Sequence, residues 1–141
     1  MEPGKPYFNY LPFKVHNGVV YLAGQLAKES GAVRKTGRVL KEITELEASR
    51  QIKICSQHGF SWLQIAAENN NSEIDSILDL KVYVSCDTNF EGISRLADKA
   101  SEVFIEKLGE KGRHPRSVLA VLRLPQNAPV MIDLRASIKL K

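Results

Sequence analysis

The chain has 141 residues, with 43% hydrophobic and 26% charged side chains. These proportions are typical of a globular protein and predict a single domain over residues 1–141. No apolar run approaches the ~20 residues of a membrane-spanning helix, and the first residues lack the pattern of a secretory signal. We therefore expect a cytoplasmic protein without a membrane partner. Cys55 and Cys86 have no metal-ligand spacing, so no metal and no other cofactor is predicted.

The net charge is +4, which raises the hypothesis of nucleic-acid binding. The basic residues are scattered along the chain, however, apart from Arg34, Lys35, Arg38 and Lys41 in a turn-like segment. Strands with interleaved aromatic residues, as in RNA-binding domains, are missing from the sequence. We expect a solvated basic surface and no nucleic-acid partner.

The N-terminal third predicts a β-hairpin followed by a long loop. Residues 11–16 and 19–22 alternate in polarity and flank Asn17-Gly18, which is a strong hairpin signal. Residues 27–43 are rich in charge and predict a loop with a short strand near residues 39–40.

A capping box of Thr44 and Glu47 predicts the start of a helix that runs to about Glu68. Its buried stripe has helical spacing and consists of Ala48, Ile52, Cys55, Gly59, Trp62 and Ala66. Gly59 costs about 1 kcal/mol in helix propensity, so it indicates either close contact with a sheet or a break near His58. The stripe stays in phase across Gly59, which favours one helix.

Residues 77–85 predict a strand with Leu78, Leu80, Val82 and Val84 on one face. A second capping box, Thr88 with Glu91, predicts the start of another helix. Gly109 and Gly112 are typical of the end of that helix.

The near-continuous apolar run of residues 116–124 predicts a central strand. In the last strand, residues 130–138, Met131, Asp133 and Arg135 share one face. A half-polar face with an outward methionine favours a subunit interface over open water. The order ββαβαββ predicts an α+β fold with both helices packed on one face of a mixed sheet.

Three segments resemble the RidA/YjgF family, whose members were formerly described as L-PSP endoribonucleases. Residues 9–25 resemble its N-terminal hairpin, which ends in a Ser/Ala-Gly-Gln turn. Residues 112–125, G-R-H-P-R-S-V-L-A-V-L-R-L-P, resemble its most specific segment, and residues 130–138 resemble its closing strand. The resemblance is to a YjgF-like branch of slightly longer members, distinct from the main RidA deaminase branch. It implies a chorismate-mutase-like fold and a barrel-like homotrimer with ligand clefts at the subunit boundaries.

The resemblance also implies an activity, the hydrolysis of reactive 2-imino acids to 2-oxo acids and ammonia. Arg116 occupies the position of the family's essential arginine, and a guanidinium matches a substrate carboxylate with two parallel hydrogen bonds. Asp133 matches a family glutamate that orients or activates water; the alternative is a carboxylate that pairs with Arg116 or Arg135. Val118 matches a position that often holds cysteine, where the backbone carbonyl also contacts the ligand.

The implied substrate-binding residues include Tyr10, Ala23, Gly24 and Ser94 besides Arg116. Tyr10 aligns with a tyrosine that lines the cleft, although packing against the hairpin is an equal alternative. Ala23 replaces a serine and Ser94 replaces an asparagine of many deaminase members. His114 has no partner visible in the sequence and is interpreted as a structural or cleft-rim residue.

The sequence therefore leaves three functions in competition and does not decide whether the chain is an enzyme. The first is an imine deaminase acting on a small 2-imino or 2-oxo acid. The second is a non-catalytic trimer that binds a small carboxylic acid through Arg116. The third is an endoribonuclease or translation inhibitor, which ranks last because the sequence shows no continuous basic track.

Overall fold

The computed structural model describes residues 3–141. The sheet strands and helices have the following bounds: β1 Phe13–His16, β2 Val19–Leu22, β3 Lys28–Glu29, β4 Ala32–Val33, α1 Glu45–Glu68, β5 Ser72–Ser85, α2 Ile93–Leu108, β6 Arg116–Val121 and β7 Val130–Leu140. Short 3-10 turns follow α2 and β6. Within residues 3–141, neither helix has the combination of length and apolar character that crossing a bilayer requires.

The main sheet is mixed and has the strand order β1-β2-β7-β5-β6. β5 and β6 run parallel, whereas the pairs β1–β2, β2–β7 and β5–β7 are antiparallel. α1 packs on β2, β5 and β7, and α2 packs on β5 and β6 while it also contacts α1. Both helices thus cover one face of the sheet, and the predicted α+β fold is confirmed.

The N-terminal hairpin forms where the sequence predicts it. Asn17 and Gly18 have φ angles of +50° and +74°, which a two-residue hairpin turn of this kind requires. The long segment that follows contains a small hairpin of β3 and β4 that the sequence did not reveal. Two-residue strands are too short to show a hydrophobic period, which explains the omission. Val39 forms isolated bridges with Ile43 and Cys86, close to the predicted short strand.

α1 is one continuous helix, as its stripe predicts. The Thr44 hydroxyl accepts a hydrogen bond from the Glu47 backbone N–H at 3.1 Å, so Thr44 is the N-cap. The predicted stripe residues are buried. A Cβ on Gly59 would lie 3.3 Å from Leu22 Cδ2 and 3.6 Å from Ile132 Cδ1. The glycine therefore allows the close contact between helix and sheet.

β5 differs from its predicted form in length and in one side chain. It begins at Ser72 and shifts register against β7 between Ile74 and Ser76 and again between Ile77 and Asp79. The second shift turns Leu78 outward, so Leu78 does not share the buried face of Leu80. A β-bulge inserts an extra residue and reverses the alternation locally, which a strict period of two misses.

The predicted start of α2 at Thr88 is wrong. The Asp87 carboxylate accepts a hydrogen bond from the Asn89 N–H, and the Asp87 carbonyl accepts one from the Phe90 N–H. These bonds form a turn that uses the residues of the expected cap, and α2 begins at Ile93. At its other end Gly109 has a φ of +62° and terminates the helix as predicted.

β6 was predicted to be central, but it is the last strand in the sheet order. Leu119 is exposed, and Leu122 just beyond the strand is 81% exposed. An apolar run of this kind fits either a central strand or an edge strand whose free side meets another chain, and the run alone does not separate them. The central positions belong to β7 and β5.

Candidate carboxylate-binding site

Arg116 is the first residue of β6, and α2 holds its guanidinium. Nη1 donates to Asp98 Oδ1 at 2.8 Å and to the Ser101 hydroxyl at 3.1 Å, and Nη2 donates to the Ser94 carbonyl at 3.3 Å. The strand fixes the Cα of Arg116 while three groups of one helix orient its charged end. The predicted binding residue Ser94 thus contacts Arg116 through its backbone carbonyl.

His114 and Ser101 form a hydrogen-bonded relay that ends on Arg116. The Gly112 carbonyl can only accept, so His114 Nδ1 carries the proton and donates to it at 2.6 Å. His114 Nε2 is then free to accept the Ser101 hydroxyl proton at 2.9 Å. Burial lowers the pKa of His114 below 6.5, and the positive charge of Arg116 lowers it further. Because the Ser101 proton points to His114, the Ser101 oxygen can accept from Arg116.

These groups line a cavity of about 440 Å³, called here the arginine cavity. Its lining residues are Asp98, Ser101, Glu102, Ile105, Arg113, His114 and Arg116. The predicted residue Val118 is instead aligned with the buried Val82 and packs on the core beneath the helices. The sequence signals for this cavity were Arg116 and His114. Ser101 and Asp98 gave no signal, because single polar residues are common at any position of an amphipathic helix.

Asp133 lies on the other face of the sheet from Arg116. It is paired across the sheet with Lys81, whereas Arg116 is paired with Leu80. Since successive residues of a strand point to opposite faces, the side chains of Arg116 and Asp133 are separated by the sheet. One chain therefore does not bring these two predicted catalytic residues together.

The Asp133 carboxylate accepts a hydrogen bond from the Tyr83 hydroxyl at 2.7 Å. Burial raises the pKa of Tyr83 to about 12, and the bond to Asp133 raises it too. Arg135 pairs with Asp79, and this pairing lowers the pKa of the Asp79 carboxyl. The alternative that Asp133 pairs with Arg116 or Arg135 is therefore not what the chain shows.

A second and larger cavity collects the N-terminal part of the predicted site. It measures about 670 Å³ and is called here the aromatic cavity. Tyr10, Ala23 and Gly24 line it. Sequence reasoning missed other residues of the lining, among them the large side chains Tyr7, Phe8, Trp62 and Met131. The aromatic run near the N-terminus and the outward Met131 were the signals available for them.

Met131, and not Asp133, is the β7 side chain beside the Ala23–Gly24 turn. A Cβ added to Gly24 would lie 2.8 Å from Met131 Sδ. Within residues 3–141 the aromatic cavity has no aspartate or glutamate in its lining. Its cation is Lys28, whose Nζ lies 4.7 Å from the centre of the Tyr7 ring.

The two cavities lie toward opposite edges of the sheet. Ala23 and Gly24 follow β2, while Arg116 begins β6, and these strands are three positions apart in the sheet order. At the usual strand spacing this corresponds to roughly 14 Å. The two halves of the predicted site are thus separate within one chain.

No family model matches the sequence. Protein TCP17 from Trypanosoma cruzi is 28% identical over 129 residues, which cover 91% of this chain and 80% of TCP17. The structure of protein Atu1372 from Agrobacterium tumefaciens, a protein of unknown function, is 30% identical with a TM-score of 0.88 over 96% of this chain and 87% of that one. A candidate endoribonuclease from Shewanella oneidensis has a TM-score of 0.89 at 21% identity, over 97% of this chain and 90% of that one.

The fold is also that of the YjgF gene product from E. coli, with a TM-score of 0.67 at 16% identity over 96% of this chain and 92% of YjgF. The architecture therefore defines the chain as a YjgF-type α+β protein. This fold bears out the resemblance to the RidA/YjgF family that the three sequence segments carry. The chain superposes more closely on the Agrobacterium and Shewanella proteins than on YjgF.

Proposed function

We propose that this protein is a homotrimer that holds a small 2-imino or 2-oxo carboxylic acid on Arg116 and hydrolyses the 2-imino form. The observation that carries the proposal is the contact between Arg116 and Asp98. A carboxylate oxygen already lies 2.8 Å from Nη1 inside the arginine cavity. The Asp98 side chain is 64% exposed, so a ligand carboxylate can replace it on the same guanidinium.

The reaction adds one water to the C=N carbon of the imine and releases ammonia, which leaves the 2-oxo acid. Arg116 would fix the carboxylate next to that carbon and hold the reacting atom in one place. Such positioning converts an encounter in solution into a step within a complex. Neutral His114 and Ser101 keep the guanidinium oriented while the ligand exchanges with Asp98.

A shared site between subunits reconciles the two separated cavities. Arg116 begins the edge strand β6, and Leu119 and Leu122 are exposed along and just beyond it. A neighbouring subunit that covers this edge would bury both leucines and bring its own aromatic cavity toward Arg116. This arrangement supports the trimer and the clefts between its subunits.

Binding without turnover is the second candidate function. The observation that favours it is the location of Asp133, which lies across the sheet from Arg116 and accepts a hydrogen bond from Tyr83. A carboxylate in that environment is not beside a ligand on Arg116 of the same chain. A trimer that only binds the acid needs Arg116 and no water-activating group.

RNA cleavage receives no support from the basic cluster. Arg34 donates to the Glu29 carbonyl at 2.8 Å, and Arg38 donates to the Cys86 carbonyl at 2.8 Å. Lys35 lies 3.9 Å from a carboxylate oxygen of Glu47. These cations stabilise the loop before α1 and do not form a continuous surface for phosphates.

The decisive experiment follows the loss of freshly generated 2-iminobutanoate and 2-iminopropanoate against the uncatalysed background. The wild type is compared with Arg116→Ala and with Arg113→Ala, a matched control that lines the same cavity and pairs with Glu110. Acceleration that disappears in Arg116→Ala alone supports hydrolysis with Arg116 as the anchor. If the wild type does not accelerate the loss of either imine, hydrolysis of these substrates is rejected and binding without turnover takes its place.

A further inference from the structure

The aromatic cavity indicates which acid the site takes, an inference that rests on the proposed function. We propose that the aromatic cavity of a neighbouring subunit receives the side chain of the acid held by Arg116, and that this side chain is an aromatic ring. The substrate would then be an aromatic 2-imino or 2-oxo acid, larger than the four-carbon acids used in the first assay.

The lining favours a flat apolar group. Tyr7, Phe8 and Tyr10 come from the N-terminal segment, Trp62 comes from α1, and Met131 adds a thioether from β7. Phe8 is 82% exposed, and exposed aromatic side chains gathered around one cavity are typical of a binding surface. Aromatic rings stack on one another and on thioether sulfur, so this set matches an aromatic ligand in chemistry.

The size of the cavity argues in the same direction. Its volume of about 670 Å³ lies in the range that holds ligands of drug size. The ethyl group of 2-iminobutanoate would fill a small part of it and leave most lining atoms without a ligand contact. A benzyl or indolyl side chain would contact several rings at once.

Some polar groups of the cavity are already engaged, whereas Nδ1 of His58, which also lines it, is buried without a hydrogen-bond partner. The Gln25 amide N–H donates to the Ala23 carbonyl at 2.9 Å, and the Lys28 ammonium lies over the Tyr7 ring. Ala23 itself offers a methyl group at the turn. A ligand hydroxyl or amide placed against this methyl group would lose water without a new partner, at an unfavourable free energy.

The test compares phenylpyruvate with 2-oxobutanoate, two stable 2-oxo acids that differ in the ring. Calorimetric titration gives both dissociation constants. The chain has a single tryptophan, and Trp62 lines the cavity, so the indole N–H resonance reports where the ligand lies. We expect phenylpyruvate to bind at least about tenfold more tightly than 2-oxobutanoate, because burying a ring lowers the binding free energy by an amount of that order. We also expect phenylpyruvate to shift the Trp62 resonance.

Two variants isolate the cavity from the rest of the surface. Phe8→Ala removes an exposed lining ring and should lower the preference for phenylpyruvate several-fold. Leu46→Ala is the matched control, because Leu46 is equally exposed on α1 and lies outside the aromatic cavity. It should leave the preference unchanged.

The outcomes separate this inference from the proposed function. Arg116→Ala should weaken both acids and keep the preference between them. A preference for phenylpyruvate together with affinities that do not change in Arg116→Ala supports the aromatic cavity and overturns the carboxylate anchor. If Arg116→Ala weakens both acids but the wild type binds them equally, or binds 2-oxobutanoate more tightly, only the aromatic inference is overturned. Failure of both acids to bind overturns both.

Discussion

Replacing Asp98 with asparagine tests whether Arg116 is available to a ligand. The two side chains are 64% and 24% exposed, respectively, and an ion pair with this exposure contributes about 0.2–1 kcal/mol. A ligand carboxylate that takes the place of Asp98 loses that contribution from its own binding free energy. Asp98→Asn should therefore bind 2-oxobutanoate about 1.4- to 5-fold more tightly than the wild type.

Calorimetric titration at low and high salt measures the effect, because screening should reduce it. Glu102→Gln is the matched control: it removes the same charge from the same cavity, where the Glu102 carboxylate lies 3.8 Å from Lys99 Nζ. If both variants gain the same affinity for 2-oxobutanoate, the cause is the removal of negative charge in general and not the loss of competition for Arg116. Unchanged or weaker binding by Asp98→Asn would refute the reasoning.

Three further predictions concern stability and assembly. Gly112→Ala would place a Cβ 2.2 Å from the Phe104 carbonyl oxygen, so urea unfolding should show a loss of about 3 kcal/mol or more. Gly109→Ala has open space but a φ of +62° and a ψ of −135°, so it should lose about 1–3 kcal/mol through backbone strain alone. A smaller loss at Gly112 than at Gly109 would contradict the steric argument. The pKa of His114 is lowered from 6.5 in the folded chain, so below pH 6.5 the unfolded chain binds more protons than the folded chain. The wild type should therefore lose stability on acidification more steeply than His114→Gln. Parallel plots of unfolding free energy against pH for the two proteins would be inconsistent with this. Leu122→Lys should reduce the mass measured by light scattering if β6 borders a neighbouring subunit, and an unchanged mass would exclude Leu122 from such an interface.

Local chemistry explains which parts of the fold were predictable. The Asn17-Gly18 turn and the Thr44 cap depend on residues next to one another, and the α1 stripe repeats over six positions. The place of β6 at the sheet edge depends on which strands pair, and pairing is decided by residues far apart in sequence. The same nonlocal information decides that Leu78 sits at a bulge, because the bulge exists only relative to β7.

In the candidate site, too, the features that depend on neighbouring residues were predictable and those that depend on strand pairing were not. The motif located Arg116, and alternation correctly grouped Met131 with Asp133 on one face of the last strand. Arg116 and Asp133 lie on opposite faces of the sheet because of how β6 and β7 each align with β5 between them. Neither the sequence of β6 nor that of β7 specifies this alignment. The relay through Ser101 was missed because it joins α2 to the segment before β6, thirteen positions away.

The two register shifts of β5 bear on how the chain avoids misfolding. A slip of β5 against β7 by two residues would keep every apolar side chain on its proper face, so hydrophobic burial alone discriminates weakly against it. The bulges distinguish the correct alignment from the slipped one, because the extra residue of β5 fits only at the matching position along β7. In the correct alignment Asp79 meets Arg135, and a slipped sheet would separate that pair. The two bulges in the first half of β5 thus specify a single alignment of β5 with β7.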